Sequence, residues 1–233
     1  KFENGAGVVI GGAIGRAAEQ LSVDIYGFHV LSNHGGIVAG FTSAAQQVEF
    51  RKRALGWIAR ETNRRRNRTG ACLGGRSKAI QIDGEAALEK RLSYCLSNGC
   101  AENLVARPEL WPGLHSAKWQ VEGKDYPGIW IDRTGYDRAK RIAGANPQIE
   151  DFTHAAPVKL AKLPHLAHLS DAEYRAFIKG LCDDSELQRV KTHGNKQPLG
   201  EKALCKPGTW RKRTLLYNRR GCAGDVELWP RQD

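Results

Sequence analysis

The sequence predicts a mixed α+β fold, on three observations. The stretch AIGRAAEQLS, 13 to 22, has helical periodicity and leads at once into an apolar run, Val23 to Leu31, of the kind that forms a buried strand. A long helical pattern then runs from Thr42 or Ser43 through AAQQVEFRKRALGWIARETNRRR. A short extended run, KAIQI, precedes a further helix-periodic segment, GEAALEKRLSYCLSN.

Each element has a local reason. Thr42 and Ser43 can both accept from the unpaired N–H groups that open a helix. Within that helix Val48, Leu55, Trp57, Ile58 and Ala59 are expected to pack inward while the arginines stay outside. NRTGACLGG, 67 to 75, reads as a loop or turn. Asp83 is placed to cap the next helix, and Leu88, Leu92, Cys95 and Leu96 recur at three and four residues, giving it an apolar face. Residues 106 to 147 are richer in Pro, Gly and Trp and are expected to wrap irregularly onto the core, fastened by Trp111 and Trp119, with RPELWPG turning at its prolines. Ser170, followed three residues later by Glu173, is a capping-box pattern heading SDAEYRAFIKGLCDD.

Size and composition narrow the class. A chain of 233 residues with 41% apolar content can bury a real core and is not a disordered tail. The only continuously nonpolar run near the start, Val8 to Ile14, is far shorter than the roughly 18 residues of a membrane span. No transmembrane segment or signal peptide is therefore expected. The six cysteines form no CxxC pair and read as reduced thiols rather than as a disulfide framework or zinc site. Methionine is absent even at residue 1, so the expectation is a processed or missing start, or methionines that the sequence as given omits.

Charge points to an anionic partner. There are 36 Lys and Arg against 25 Asp and Glu, a formal charge of +11, which favours nucleic acid first and a membrane surface second. The excess is local: from Arg51 to Lys78 there are ten positive side chains and one acid, Glu61. A second basic stretch, Lys206 to Arg220, holds six positive residues and no acid, with Trp210 and Tyr217 among them as candidates for base stacking.

Three ordered stretches carry a more specific signal. The first is YGFHVLSNHGGIV; the second is NRRRNRTGACLGGR with the later SYCLSNGCAENLVARPELWPG; the third is PHLAHLSDAEYRAFIKGL with QPLG further on. Together, across roughly 23 to 220, they resemble the REP-associated tyrosine transposases of the HUH superfamily. That resemblance implies a ferredoxin-like antiparallel sheet with packed helices over 1–117, an irregular segment over 118–156, and a mostly helical and irregular basic extension over 157–233. The first strand of such a sheet would come from upstream residues, from Gly7 to Ile10, or from a partner.

The resemblance also implies a site. A metal, Mg²⁺ or Mn²⁺, would be held by paired histidines on a strand, and a tyrosine would attack a DNA phosphodiester to form a 5′-phosphotyrosine. Here the first ligand position falls on His34, the second on Gly36, which has no ligand atom, and the nucleophile on Tyr94. Asp24, Asp83, Glu85 and Glu89 are conceivable substitute ligands. The motif expected after the tyrosine reads Asn98-Gly99-Cys100, a further departure. The expectation is a protein that binds single-stranded or hairpin DNA with catalysis lost or weakened, and with no cofactor in that event. Active single-strand cleavage and an RNA or ribonucleoprotein role are the alternatives. Phosphate contacts are expected from Arg51, Arg53, Arg60, Arg64, Arg65, Arg66, Arg68, Arg76, Arg91, Arg211 and Arg213. The implied setting is cytoplasmic and nucleoid-associated, as a monomer or homodimer, with no membrane partner.

Overall fold

The computed structural model describes residues 4–31, 34–73, 77–144 and 146–205. It is a mixed α+β fold with two small antiparallel two-stranded sheets and several packed helices. The order is α1 (Asn4–Leu21), β1 (Asp24–Val30), β2 (Gly35–Gly40), α2 (Ala44–Arg65), α3 (Glu85–Ala101), α4 (Ala117–Glu122), β3 (Ile129–Ile131), α5 (Arg133–Ala139), β4 (Thr153–Ala155), α6 (Asp171–His193) and α7 (Glu201–Leu204).

β1 and β2 form an antiparallel hairpin whose register sets His29 opposite Gly36 and Asp24 opposite Gly40. The register slips between Ile25 and Gly27, a bulge that breaks strict alternation of side chains along the strand. As a result Ile25 and Phe28 enter one core, with Ile14 and Ala17 of α1 and Phe50 and Ala54 of α2. Tyr26 enters the other core, with Val38, Leu92, Cys95 and Leu96, and with Ile178 and Cys182 of α6. The hairpin is thus a middle layer, with α1 and α2 on one side and α3 on the other. Leu92 and Leu96 are fully buried, and each such side chain contributes about 1.5–3 kcal/mol by leaving water.

β1 is paired on both edges. Opposite β2, Val30 N–H donates to Leu114 O at 2.8 Å, Ser116 N–H to Phe28 O at 2.9 Å, and Ala161 N–H to Ile25 O at 2.9 Å. Phe28 N–H donates to Ser116 Oγ at 3.1 Å. Residues from the second half of the chain therefore complete the environment of the first strand.

Three local expectations are corrected. Gly7 to Ile10 is not a strand but part of α1, which starts nine residues ahead of the expected stretch at 13. The reason lies in Gly11, Gly12 and Gly15, which let the helix backbone approach its neighbours: a Cβ at Gly12 would lie 1.8 Å from Ile129 O. Asp83 does not cap α3; Gly84 occupies that position with φ 90°, while Asp83 accepts from the Gln81 amide at 2.9 Å. Val48 is 57% exposed, because the buried line of α2 runs through Phe50 and Ala54, and a residue two places before Phe50 lies on the far side of the helix.

Other features follow the local rules. Ser43 caps α2, accepting from Gln46 N–H at 3.1 Å, and Ser170 and Glu173 close a reciprocal capping box on α6. The five described cysteines, Cys72, Cys95, Cys100, Cys182 and Cys205, are free thiols. Trp111 Nε1–H donates to Val30 O at 3.1 Å, tying the irregular segment after α3 to the end of β1. Trp119 packs edge-on against Tyr126. Among the described residues no helix is long and apolar enough to cross a membrane.

Candidate active site on the third helix

α3 presents Leu92, Cys95 and Leu96 to the core, and the same buried side continues one turn later to Asn98 and Gly99. β1 aims His29 at that surface, and His34 stands just ahead of β2. The result is a cluster in which one amide bridges two imidazoles. Asn98 Nδ2 lies 2.9 Å from His29 Nε2 and 3.1 Å from His34 Nε2. An amide nitrogen carries two hydrogens, so it donates to both rings, each accepting on Nε2. His29 Nδ1–H points to Cys95 Sγ at 3.3 Å.

A third histidine stands behind the pair. His115 bridges to His29 across the strand edge, its ring centroid 6.4 Å away, and its Nδ1 accepts from Ala117 N–H at 3.1 Å. Both inner rings are starved of water: His29 is 1% exposed and His115 4%. Burial pushes the His29 pKa down to about 3, with the neighbouring His115 and His34 rings adding to the effect. Burial likewise pushes His115 down to about 4, opposed in part by the Leu96 carbonyl. At neutral pH these two are uncharged nitrogen bases, and His34, half-buried, gives the cluster its approach to solvent.

Tyr94 lies on α3 one turn before Asn98 and is half-buried. Burial raises its pKa, the Glu102 carboxylate raises it further, and Arg91 opposes both. Its phenol is therefore harder to ionise than a free tyrosine, the wrong direction for a nucleophile. Gly99 has a packing role. A Cβ there would meet Trp111 Cε3 at 2.9 Å and Val105 Cγ2 at 3.2 Å, so the glycine admits the tryptophan that holds the end of β1.

A second imidazole does stand beside His34, that of His29, directly opposite Gly36. The substitute carboxylates do not join them: among the described residues no group of three His, Cys, Asp or Glu is arranged to hold a metal, and Glu89 pairs instead with His165 at 2.7 Å. Two imidazole nitrogens would suit Mn²⁺ better than Mg²⁺, which keeps to oxygen. His29 and its bond to Asn98 were not anticipated. A histidine inside an apolar strand reads as core, and its partner lies 69 residues further on.

The predicted phosphate contacts divide into two groups. Arg51 donates to the side chain and carbonyl of Ser77, and Arg53 pairs with Glu49 at 2.8 Å and with Gln20 at 2.9 Å. Arg60, Arg64, Arg65, Arg66 and Arg68 are exposed at the far end of α2 and beyond it. Arg91 faces a groove beside α2 together with Arg51. Arg76, Trp210, Arg211, Arg213 and Tyr217 lie outside the described residues. Comparison of the chain with family models, with curated proteins and with solved structures returns no match.

Proposed function

We propose that the chain binds single-stranded DNA, or a hairpin with a single-stranded flank, through the basic end of α2, with strand cleavage lost or weakened. The observation that carries this reading is the row Arg60, Arg64, Arg65 and Arg66, exposed and with no ion-pair partner among the described residues. Glu61, the one acid of the stretch, is already taken by Arg133, at 2.9 and 3.0 Å. Cations that the fold does not neutralise are available to phosphates, and they position a strand without reading its sequence. In this reading the β1–β2 hairpin with its flanking helices belongs to a ferredoxin-like sheet, and Arg51 and Arg53 serve the fold rather than the ligand.

A second reading rests on the His29, His34 and Asn98 convergence. With Mn²⁺ held there, the ion would polarise a scissile phosphate. Tyr94 Oη would then attack phosphorus, losing its proton to solvent as the bond to the 3′ oxygen breaks, and would keep the 5′ phosphate. The raised pKa of Tyr94 works against that step, which is why binding without cleavage is preferred.

The test is a panel of labelled hairpins incubated with the protein and Mn²⁺, resolved on native gels for complexes and on denaturing gels for adducts. Complexes that weaken with salt and with the pair Arg64→Ala and Arg65→Ala, without adduct, support the first reading. An adduct that vanishes with Tyr94→Phe replaces it with the second. Preference for duplex RNA, or no complex at all, defeats both.

A further inference from the structure

A cluster of flat side chains lies outside the histidine site. Trp130 on β3 is paired in register with His154 on β4, and the two rings lie at 24° to each other with centroids 6.1 Å apart. Trp57 of α2 reaches the same indole, at 6.0 Å between centroids, and the Arg16 guanidinium of α1 stands 4.6 Å over it. Three elements besides its own strand therefore converge on one indole. Trp57, Trp130 and Arg16 are half-buried, whereas His154 is exposed.

The neighbours of this cluster are cations. Trp57, Arg60, Glu61 and Arg64 fall at i, i+3, i+4 and i+7 and so share one side of α2. Arg133, three residues after Trp130, holds Glu61 at 2.9 and 3.0 Å and clamps the β3–β4 hairpin to that side. Arg60 and Arg64 then lie about 4.5 and 10.5 Å beyond Trp57 along the helix axis. Both are exposed, with no ion-pair partner among the described residues. The exposed acids between β3 and β4, Asp137, Glu150 and Asp151, are matched in number by exposed Arg138, Lys140 and Arg141.

Packing accounts for Trp130, which Arg16 and Trp57 both engage. An exposed imidazole laid against that indole is a different matter, because it offers solvent a ring on which a further flat group can lie. A nucleobase has such a face, and its phosphates need cations within a few ångströms. An unpaired strand presents both, while a duplex hides its base faces in the stack.

We propose that His154, backed by Trp130, is a stacking site for an unpaired base of a bound DNA strand whose neighbouring phosphates run to Arg60 and Arg64. This inference rests on the proposal that the chain binds single-stranded DNA, and adds where the bases go. Every base has a π face, so the site would favour single strands over duplex without reading sequence.

The test uses the whole chain and three labelled DNAs of one length: a single strand, the same strand with abasic positions in place of its bases, and its duplex. The strand is expected to bind about tenfold tighter than its abasic form, since stacking one base is worth about 5- to 150-fold in affinity. His154→Ala should remove most of that difference, with an unchanged thermal melt and an unchanged response to Arg64→Ala with Arg65→Ala. His154→Phe should restore it. A difference that His154→Ala leaves intact, or equal affinity of the wild-type protein for the strand and its abasic form, would overturn the stacking site. In both cases binding that weakens with salt and with the double arginine variant leaves the DNA reading standing. Tighter binding of the duplex, or no complex with any of the three, would overturn both.

Discussion

Removing the Asn98 amide would strand two imidazole nitrogens, one of them in a ring only 1% exposed. Asn98→Ala is therefore expected to cost about 1–3 kcal/mol in chemical denaturation, the usual penalty for a buried polar group left unpaired. Asn98→Asp acts differently: a carboxylate between the rings favours their protonated forms, so the His29 titration should climb from about 3 toward the ordinary range, readable by NMR. The neutral histidines also make stability depend on pH. His29 and His115 titrate near 3 and 4 in the fold against 6.5 for an ordinary histidine, so below about pH 6.5 the unfolded chain takes up the more protons. Stability is then complete above that pH and declines as pH falls toward 4, by up to about 1.4 kcal/mol per unit for each ring. Urea midpoints measured across this window should flatten in His115→Gln; an unchanged slope would mean that the ring is not buried neutral.

Elements pack here through glycines whose absent side chains matter in opposite ways. Gly12→Ala drives a methyl onto the Ile129 carbonyl where α1 meets β3, and should cost about 1–3 kcal/mol or more. Gly180→Ala, on the exposed side of α6 with open space around it, should instead raise stability by about 0.5–1 kcal/mol through helix propensity alone. Thermal melts of the two variants should move apart in opposite directions. The same contrast explains what could be read from the sequence. Ser43, Ser170 with Glu173, and the Leu92, Cys95 and Leu96 line are legible because caps and helical faces depend on residues three or four apart. The length of α1 was not, because its start is decided by contacts with Tyr126, Ile129 and Pro157, more than a hundred residues away in the chain. By residue type Asp83 is the better cap, yet Gly84 takes the position, because the Asp83 carboxylate is held by Gln81.

At the scale of the molecule, part of the charge of +11 gathers at one end of α2, where Arg60, Arg64, Arg65 and Arg66 have no ion-pair partner among the described residues. Four phosphate contacts from Arg60, Arg64, Arg65 and Arg66 would give a slope near about −3 in log affinity against log salt for single strands, and Arg64→Ala with Arg65→Ala should reduce it by about 1.4. A slope that the double variant leaves unchanged would move the nucleic acid to another surface. The sequence singles out His34 and Tyr94 only through a resemblance, whereas His29, Asn98 and His115 come together only when β1, α3 and residues 114–116 are folded. β1 has a further consequence for the chain as it is made. Its partners include Ser116, 88 residues on, and Ala161, later still, so an apolar strand waits bare while the ribosome adds more than a hundred residues. The hairpin with β2 can form early, but the other edge stays open to wrong pairings until the second half of the polypeptide emerges. Nascent chains halted before residue 161 should therefore remain bound to chaperones and open to protease, and those extended past α6 should be released.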